Sequence, residues 1–318
     1  MAAHNEHPPS LLADAGPAGT ITAAVVLAMF GTSVESALSA LLAIKKATSC
    51  ACPQIPVHLA FTSNQIRRIW HRRADDPDYL AAHPAAPPEI LHVQGVLATI
   101  ANLQDRGYDT IVVQSVHMAP AEEFHDLAAY VRGLASIRTM KPRWQPFKCL
   151  ALGRPALGSY NPAHSYAEDI RQAAIALAND AKLAREQEAA LVYMGHGNPY
   201  FPSGGLYLEF AARMRELYPE VLTLIATVEG FPSFDEIAAE LQRHSIRRVM
   251  LKPFLVVAGE HALRDLAGPG EESWASLLIQ RGYEVIPVLS GLGSQPAFAQ
   301  IFVRHALEAA AAAGIRLR

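Results

Sequence analysis

The stretch ALVYMGHGN at residues 190–198 decides the fold, and the earlier stretch AAVVLAMFGT at residues 23–32 resembles it. Each is a short apolar run that ends in glycine and polar residues, as a buried parallel strand does where it enters a loop. Outward from both stretches, further short apolar runs alternate with segments of helical period, which predicts βα units. The predicted strands are Ala23–Phe30, Pro56–Phe61, Thr110–Gln114 and Phe147–Leu152, then Ala190–Met194, Leu222–Val228, Arg248–Leu251 and Glu284–Leu289.

The two halves repeat each other in detail, which indicates an ancient duplication. Gln114 stands eight residues before Glu122, and Lys252 stands eight before Glu260. We therefore predict an α/β protein of two similar doubly wound domains, each with a four-stranded, mainly parallel sheet, and a cleft between them. The predicted divisions are a disordered tail (1–20), an N-terminal domain (21–159) and a C-terminal domain with the metal site (160–318). The segments 160–183 and 295–313 are expected to cross to the opposite domain.

The composition and net charge of the chain limit the kinds of partner it is expected to bind. The chain has 318 residues, 51% of them hydrophobic and 18% charged, with a formal net charge of -3. This balance gives no general attraction to nucleic acid or to an anionic membrane, so neither is expected as a partner. An odd number of cysteines, with no basic start before the first apolar run, favours the cytoplasm. A homo-oligomer is compatible with the sequence, which does not fix the oligomeric state.

Three residues with metal-ligand chemistry follow three successive predicted strands of the second half. Glu229 comes 33 positions after His196, and His261 comes 32 positions after Glu229. The carboxyl ends of parallel strands share one edge of the sheet, so these side chains are expected to meet there. Two imidazoles and a carboxylate suit a borderline divalent cation such as Co²⁺, Fe²⁺, Ni²⁺ or Zn²⁺. A histidine after a strand is often structural, but the joint placement favours a metal site.

The duplication supplies an internal comparison for this site. It aligns Phe30 with His196, Thr62 with Glu229, and Glu123 with His261. Phe30 and Thr62 are not ligands for such a metal. We expect one half to hold the ion while the other shapes the rest of the cleft.

A series of short motifs stands in order along the chain from about residue 21 to 310. They are Phe30–Ser33, Phe61–Ser63, Gln114–His117, Met194–Gly197, Val228–Gly230 and Val257–His261, followed by Asp265, Ser273 and Trp274. In these motifs the chain resembles a known family, the anaerobic cobalt chelatases of cobalamin synthesis. The resemblance implies a metal chelatase, a lyase, that inserts Co²⁺ into sirohydrochlorin or a close precursor without ATP or a tightly bound cofactor. It also implies His196, Glu229 and His261 as metal ligands.

The implied substrate is a tetrapyrrole with many carboxylates, so the cleft is expected to offer cations and backbone N–H groups. Candidates are Lys252 and the arginines at 67, 68, 72 and 73, each of which also fits a solvated face. Gly31, Thr32 and Ser33 at a predicted helix start fit a carboxylate or a plain N-cap. Thr62, Ser63, His117 and Gly197 complete the predicted substrate contacts.

The predicted catalysis involves His196 and His261 as neutral imidazoles, one of which accepts a pyrrole proton while Glu229 balances charge. Which histidine does so stays open. Two alternatives also stay open: insertion of Fe²⁺ to give sirohaem, and a non-catalytic carrier of metal or tetrapyrrole.

Overall fold

The computed structural model describes residues 23–160, 163–199, 204–260 and 262–317. The predicted tail at 1–20 lies outside these residues. All eight predicted strands are present: β1 (Ala23–Met29), β2 (Val57–Phe61), β3 (Thr110–Val116), β4 (Cys149–Gly153), β5 (Ala190–Gly197), β6 (Thr223–Glu229), β7 (Arg248–Pro253) and β8 (Glu284–Pro287).

Helices alternate with these strands. They are α1 (Leu38–Ala51), α2 (Asn64–Ala74), α3 (Pro77–Ala82), α4 (Pro88–Leu91), α5 (Val96–Asp105), α6 (Glu122–Ala135), α7 (Tyr166–Ala176), α8 (Ala178–Glu186), α9 (Gly204–Leu217), α10 (Phe234–Arg243), α11 (Trp274–Gln280) and α12 (Pro296–Ala312). None of the helices in the described ranges is long and apolar enough to span a membrane.

The strands form two four-stranded sheets with the same order, β2-β1-β3-β4 and β6-β5-β7-β8. Every neighbouring pair is parallel. The identical order confirms the predicted α/β class and agrees with a duplication. Because all strands of a sheet run the same way, the loops after β1–β3 and after β5–β7 each gather at one sheet edge.

The apolar core has a shared part and two outer parts. One buried cluster joins residues of both halves, including Leu27 and Phe61 from the first and Tyr193 and Phe254 from the second. A second cluster covers the other face of the second sheet, and a third covers the other face of the first. Both faces of each sheet are therefore buried, as parallel sheets require.

Two helices, α7 after the first sheet and α12 after the second, pack against elements that belong to the other sheet's half. Helix α7 packs against α9, and α12 packs against α1, β3 and β4. The helices therefore cross between halves as the sequence predicted, while the division at residues 159 and 160 remains a prediction. The segment 75–88 contains the short helix α3, which Asp76 caps by accepting the N–H groups of Asp78 and Tyr79. An Asp followed by Pro77 at the first helical position is a helix start signal.

Candidate metal and tetrapyrrole site

His196 lies near the carboxyl end of β5, where the strand leaves the core. Residues 190–195 are buried, whereas the His196 side chain is exposed. Its Nδ1 lies 3.1 Å from the carbonyl oxygen of Gly197. Gly197 has a φ of +75°, and a Cβ there would come within 1.8 Å of the Glu229 carbonyl oxygen. Only glycine fits this close approach, which fixes the backbone next to His196.

Glu229 ends the neighbouring strand and is also exposed. The parallel register pairs it with Gly197, one residue after His196. The loop beyond Glu229 is held by Thr227, whose backbone N–H and hydroxyl both donate to the carbonyl oxygen of Pro232, at 2.8 and 3.0 Å. His196 and Glu229 therefore reach solvent on adjacent strands at one edge, as the sequence predicted.

The third predicted ligand, His261, lies outside the described residues. Within those residues, no three His, Cys, Asp or Glu side chains are grouped to hold a metal ion. The trio therefore stays a prediction. Gly259 is described and faces the first half, since a Cβ there would lie 3.7 Å from the Thr32 hydroxyl.

The loop of Gly31, Thr32 and Ser33 differs from its predicted position at a helix start. The first helical turn begins at Glu35, so the three residues lie in the loop before it. Thr32 is buried; its hydroxyl accepts the Val34 N–H at 3.1 Å. Gly31 has a φ of +94° and packs so closely on the Phe61 ring that a side chain would clash. The loop is therefore closely packed at the cleft edge. Its contact with substrate remains a prediction.

Thr62, Ser63 and His117 lie together at the same edge of the first sheet. Ser63 caps α2 by accepting the Ile66 N–H at 3.3 Å, which is a structural role. His117 is buried, with Nδ1 at 2.8 Å from the Ser115 hydroxyl and Nε2 at 3.5 Å from the Thr62 hydroxyl. Burial lowers the pKa of His117 to about 4, so its imidazole is neutral at physiological pH.

Most of the cationic side chains predicted to bind substrate already bond to groups within the protein. Lys252 is buried and its ammonium donates to Asp180 at 2.6 Å, which favours a structural role over contact with a substrate carboxylate. Arg67 donates to the backbone carbonyl groups of Phe61 and Thr62. Arg73 donates to the Ser33 carbonyl at 2.7 Å and stacks on Trp70. The remaining two of the cluster, Arg68 and Arg72, are exposed.

The two halves touch across the cleft beside the candidate ligands. The Asn198 amide donates to the Glu122 carboxylate at 3.2 Å, which joins the loop after β5 to the start of α6. No sequence pattern indicated this contact, although Asn198 stands only two residues after His196. A second feature, Phe30, is 47% exposed at the position that the duplication aligns with His196. An exposed aromatic ring at a strand end suits a planar apolar ligand.

The architecture defines the class of protein. The chain matches SirB from Bacillus subtilis with Fe³⁺ at a TM-score of 0.58 and 15% identity, over 92% of this chain and 98% of that one. It also matches the sirohydrochlorin chelatase SirB from Bacillus subtilis subspecies spizizenii in complex with cobalt, at a TM-score of 0.58 and 14% identity, over 91% and 96%. The chain therefore shares the α/β fold of these structures.

Sequence comparison identifies the family within this class. Residues 23–311 match the family model for cobalt chelatase, CbiK. The chain is 30% identical to the sirohydrochlorin cobaltochelatase CbiKC of Nitratidesulfovibrio vulgaris, over 91% of this chain and 90% of that protein. It is 26% identical to the sirohydrochlorin cobaltochelatase of Salmonella typhimurium, over 89% and 94%. The chain belongs to the CbiK cobalt chelatase family, as the resemblance in its motifs implied.

Proposed function

We propose that this chain inserts Co²⁺ into sirohydrochlorin, or a close precursor, in the anaerobic route to cobalamin. The observation that carries the proposal is the exposure of His196 and Glu229 on adjacent strands at the cleft edge of a cobalt chelatase fold. His261 completes the proposed ligand set. Co²⁺ is a substrate, and neither ATP nor a tightly bound cofactor takes part. We place the activity in the cytoplasm.

An incomplete ligand shell suits an enzyme that must give its metal away. Two neutral imidazoles and one carboxylate bind Co²⁺ but leave coordination positions open to the pyrrole nitrogens. The ligands must be deprotonated to bind, so metal affinity depends on pH. His196 and Glu229 are both exposed and can therefore receive an ion from solvent without opening the core.

The reaction is a balanced exchange of one divalent cation for two pyrrole protons. The macrocycle's two N–H bonds break, Co²⁺ exchanges its bonds to the protein ligands for bonds to the four ring nitrogens, and no electrons change hands. One imidazole of the pair His196 and His261 accepts one departing proton and the other proton passes to solvent, while Glu229 balances the charge of the approaching ion. Burial keeps the His117 imidazole neutral at neutral pH, so this residue adds no positive charge to the first half of the site.

Turnover separates the proposed enzyme from the alternatives. Purified chain is mixed with Co²⁺ and sirohydrochlorin, and the absorbance change of the macrocycle is followed at substoichiometric enzyme. We expect product well beyond one equivalent, whereas a carrier stops at one. Parallel runs with Fe²⁺ test iron insertion, which the cobalt chelatase relatives do not favour. If the Co²⁺ reaction stops at one equivalent of product, the proposal is contradicted.

The His196→Ala variant tests the ligand assignment. We expect turnover to fall below detection and Co²⁺ affinity to drop, because one of three ligands is lost. The free energy of unfolding should change by less than about 0.5 kcal/mol, since the side chain is exposed. His244→Ala is the matched control: His244 is an exposed histidine just after α10, before the start of β7. If His196→Ala turns over like His244→Ala, the assignment is wrong.

A further inference from the structure

A carboxylate-rich substrate needs cations, and the structure offers a set that the sequence did not suggest. The strongest predicted candidate, Lys252, is buried against Asp180, and Arg67 and Arg73 are bonded to backbone carbonyl groups. Available positive charge lies instead in a pocket beside the first sheet.

This pocket has a volume of about 910 Å³, at the upper end of the roughly 300–1,000 Å³ common for small-molecule sites. It lies along the outer strand β4, between α6 and α12, and is also lined by Ser159 and Tyr160 and by the start of α9. Its aromatic side chains are Phe124, Tyr160 and Tyr166, of which Tyr160 is 85% exposed.

The ionisable side chains that line the pocket are mainly basic. Its lining includes Arg132, His125 and His164, and no Asp or Glu side chain is among the described residues that line it. Arg154 also lines the pocket, but its charge is satisfied by Asp169 at 2.6 Å and Glu308 at 2.7 Å. The exposed guanidinium of Arg132 is therefore the main permanent charge available to a ligand there, with the two imidazoles beside it.

The pocket adjoins the candidate metal site through two contacts. Gly205 lines the pocket, and its neighbour Gly204 packs against Phe231, two residues after Glu229. On the opposite wall Pro120 lies two residues before Glu122, whose carboxylate accepts from Asn198. The pocket and the candidate metal site are thus lined by neighbouring residues of the same two segments.

We propose that this pocket binds the carboxylate side chains of the tetrapyrrole, with Arg132 as the principal anion contact and His125 and His164 as further hydrogen-bond donors. The inference rests on the proposed function. A planar fork of N–H donors matches a carboxylate, and aromatic walls accept the apolar stem that carries it. Arg132 acts here as a residue that binds and orients the substrate and touches no reacting atom.

Binding of metal-free sirohydrochlorin to the full chain tests this proposal. The dissociation constant is measured by absorbance titration for the wild type, Arg132→Gln, Arg132→Lys and Arg106→Gln. Arg106 is an exposed arginine of the same half at the opposite end of the sheet, just before β3, so its loss changes net charge equally. We expect Arg132→Gln to weaken binding about tenfold, as loss of a charged hydrogen bond does, and Arg106→Gln less than about twofold.

The ligand offers a second control. The fully methyl-esterified macrocycle carries no carboxylate, so Arg132→Gln should leave its dissociation constant unchanged. Arg132→Lys keeps the charge but loses the planar fork, so its affinity for the acid should lie between those of the wild type and Arg132→Gln. Equal affinities of Arg132→Gln and Arg106→Gln for the acid would overturn the pocket proposal. Wild-type turnover with Co²⁺, run alongside, shows whether the proposed function stands in that case; absence of any sirohydrochlorin binding overturns both.

Discussion

Replacing Lys252 with methionine tests whether this residue holds the fold or contacts the substrate. Its ammonium lies 2.6 Å from the Asp180 carboxylate, and the two side chains are 4% and 1% exposed. Asp180 also accepts the Tyr193 hydroxyl at 2.8 Å and the Gln295 amide at 3.1 Å. The pair therefore ties β7 to α8 and to the residue that precedes α12.

The expected loss follows from this environment. Removing one partner of a buried ion pair costs about 3–5 kcal/mol, because the remaining charge is left buried without compensation. Asp180 keeps two neutral hydrogen bonds in Lys252→Met, so we expect the lower end, about 3 kcal/mol. At roughly 2–4 °C per kcal/mol for domains of this size, Tm should fall by about 6–12 °C.

Two measurements on one variant distinguish the two roles. Thermal unfolding gives the stability, and KM for the tetrapyrrole gives the substrate contact. A structural Lys252 predicts a lower Tm with an unchanged KM, and the double variant Lys252→Met with Asp180→Asn should recover most of the loss, since no buried charge remains. An unchanged Tm with a KM raised about tenfold would refute the structural role and restore the substrate contact that the sequence predicted.

Two further perturbations test the site's construction. In His117→Gln we expect a weaker dependence of stability on pH: the folded pKa of about 4 lies below the unfolded value of about 6.5, so the wild type loses about 3 kcal/mol as pH falls between them. Urea unfolding of both proteins at pH 7 and pH 4 checks the difference, and parallel losses would contradict it. Gly197→Ala should lower both Tm and Co²⁺ affinity, because its Cβ meets the Glu229 carbonyl. The control Gly133→Ala adds its methyl group in open space within α6, so its Tm and Co²⁺ affinity should stay at the wild-type values. Equal Tm and Co²⁺ affinity in the two variants would contradict the role given to Gly197.

The strands were predictable because a parallel sheet buried on both faces leaves short apolar runs between turn residues. The ends of the strands were less predictable, and β5 shows why. The prediction stopped at Met194, since glycines usually end a strand pattern, yet the ladder continues through Gly195 and Gly197. There the glycines are part of the strand, because β6 approaches too closely for a side chain at 197.

The partners of the charged residues could not be predicted in the same way. Lys252 and Asp180 are 72 positions apart, and nothing in either segment marks the other. Lysine at the end of a strand near the cleft suggested a substrate contact; tertiary packing gave it a buried partner. The basic residues of the pocket could not be predicted either. His125 and Arg132 share one face of α6, and from the sequence alone that face reads as exposed to solvent.

The duplication explains how one architecture serves two different ligands in the proposed function. Both halves present the same backbone feature, a central strand whose last residues reach the cleft. In the first half this position holds Phe30, and the nearby His117 is kept neutral by burial. In the second half it holds His196 beside Glu229. A planar macrocycle needs an apolar, uncharged face, whereas the ion needs exposed donors with positions left open. Two facing copies of one edge can supply both requirements, because each copy can vary its few exposed residues while its buried strands stay the same.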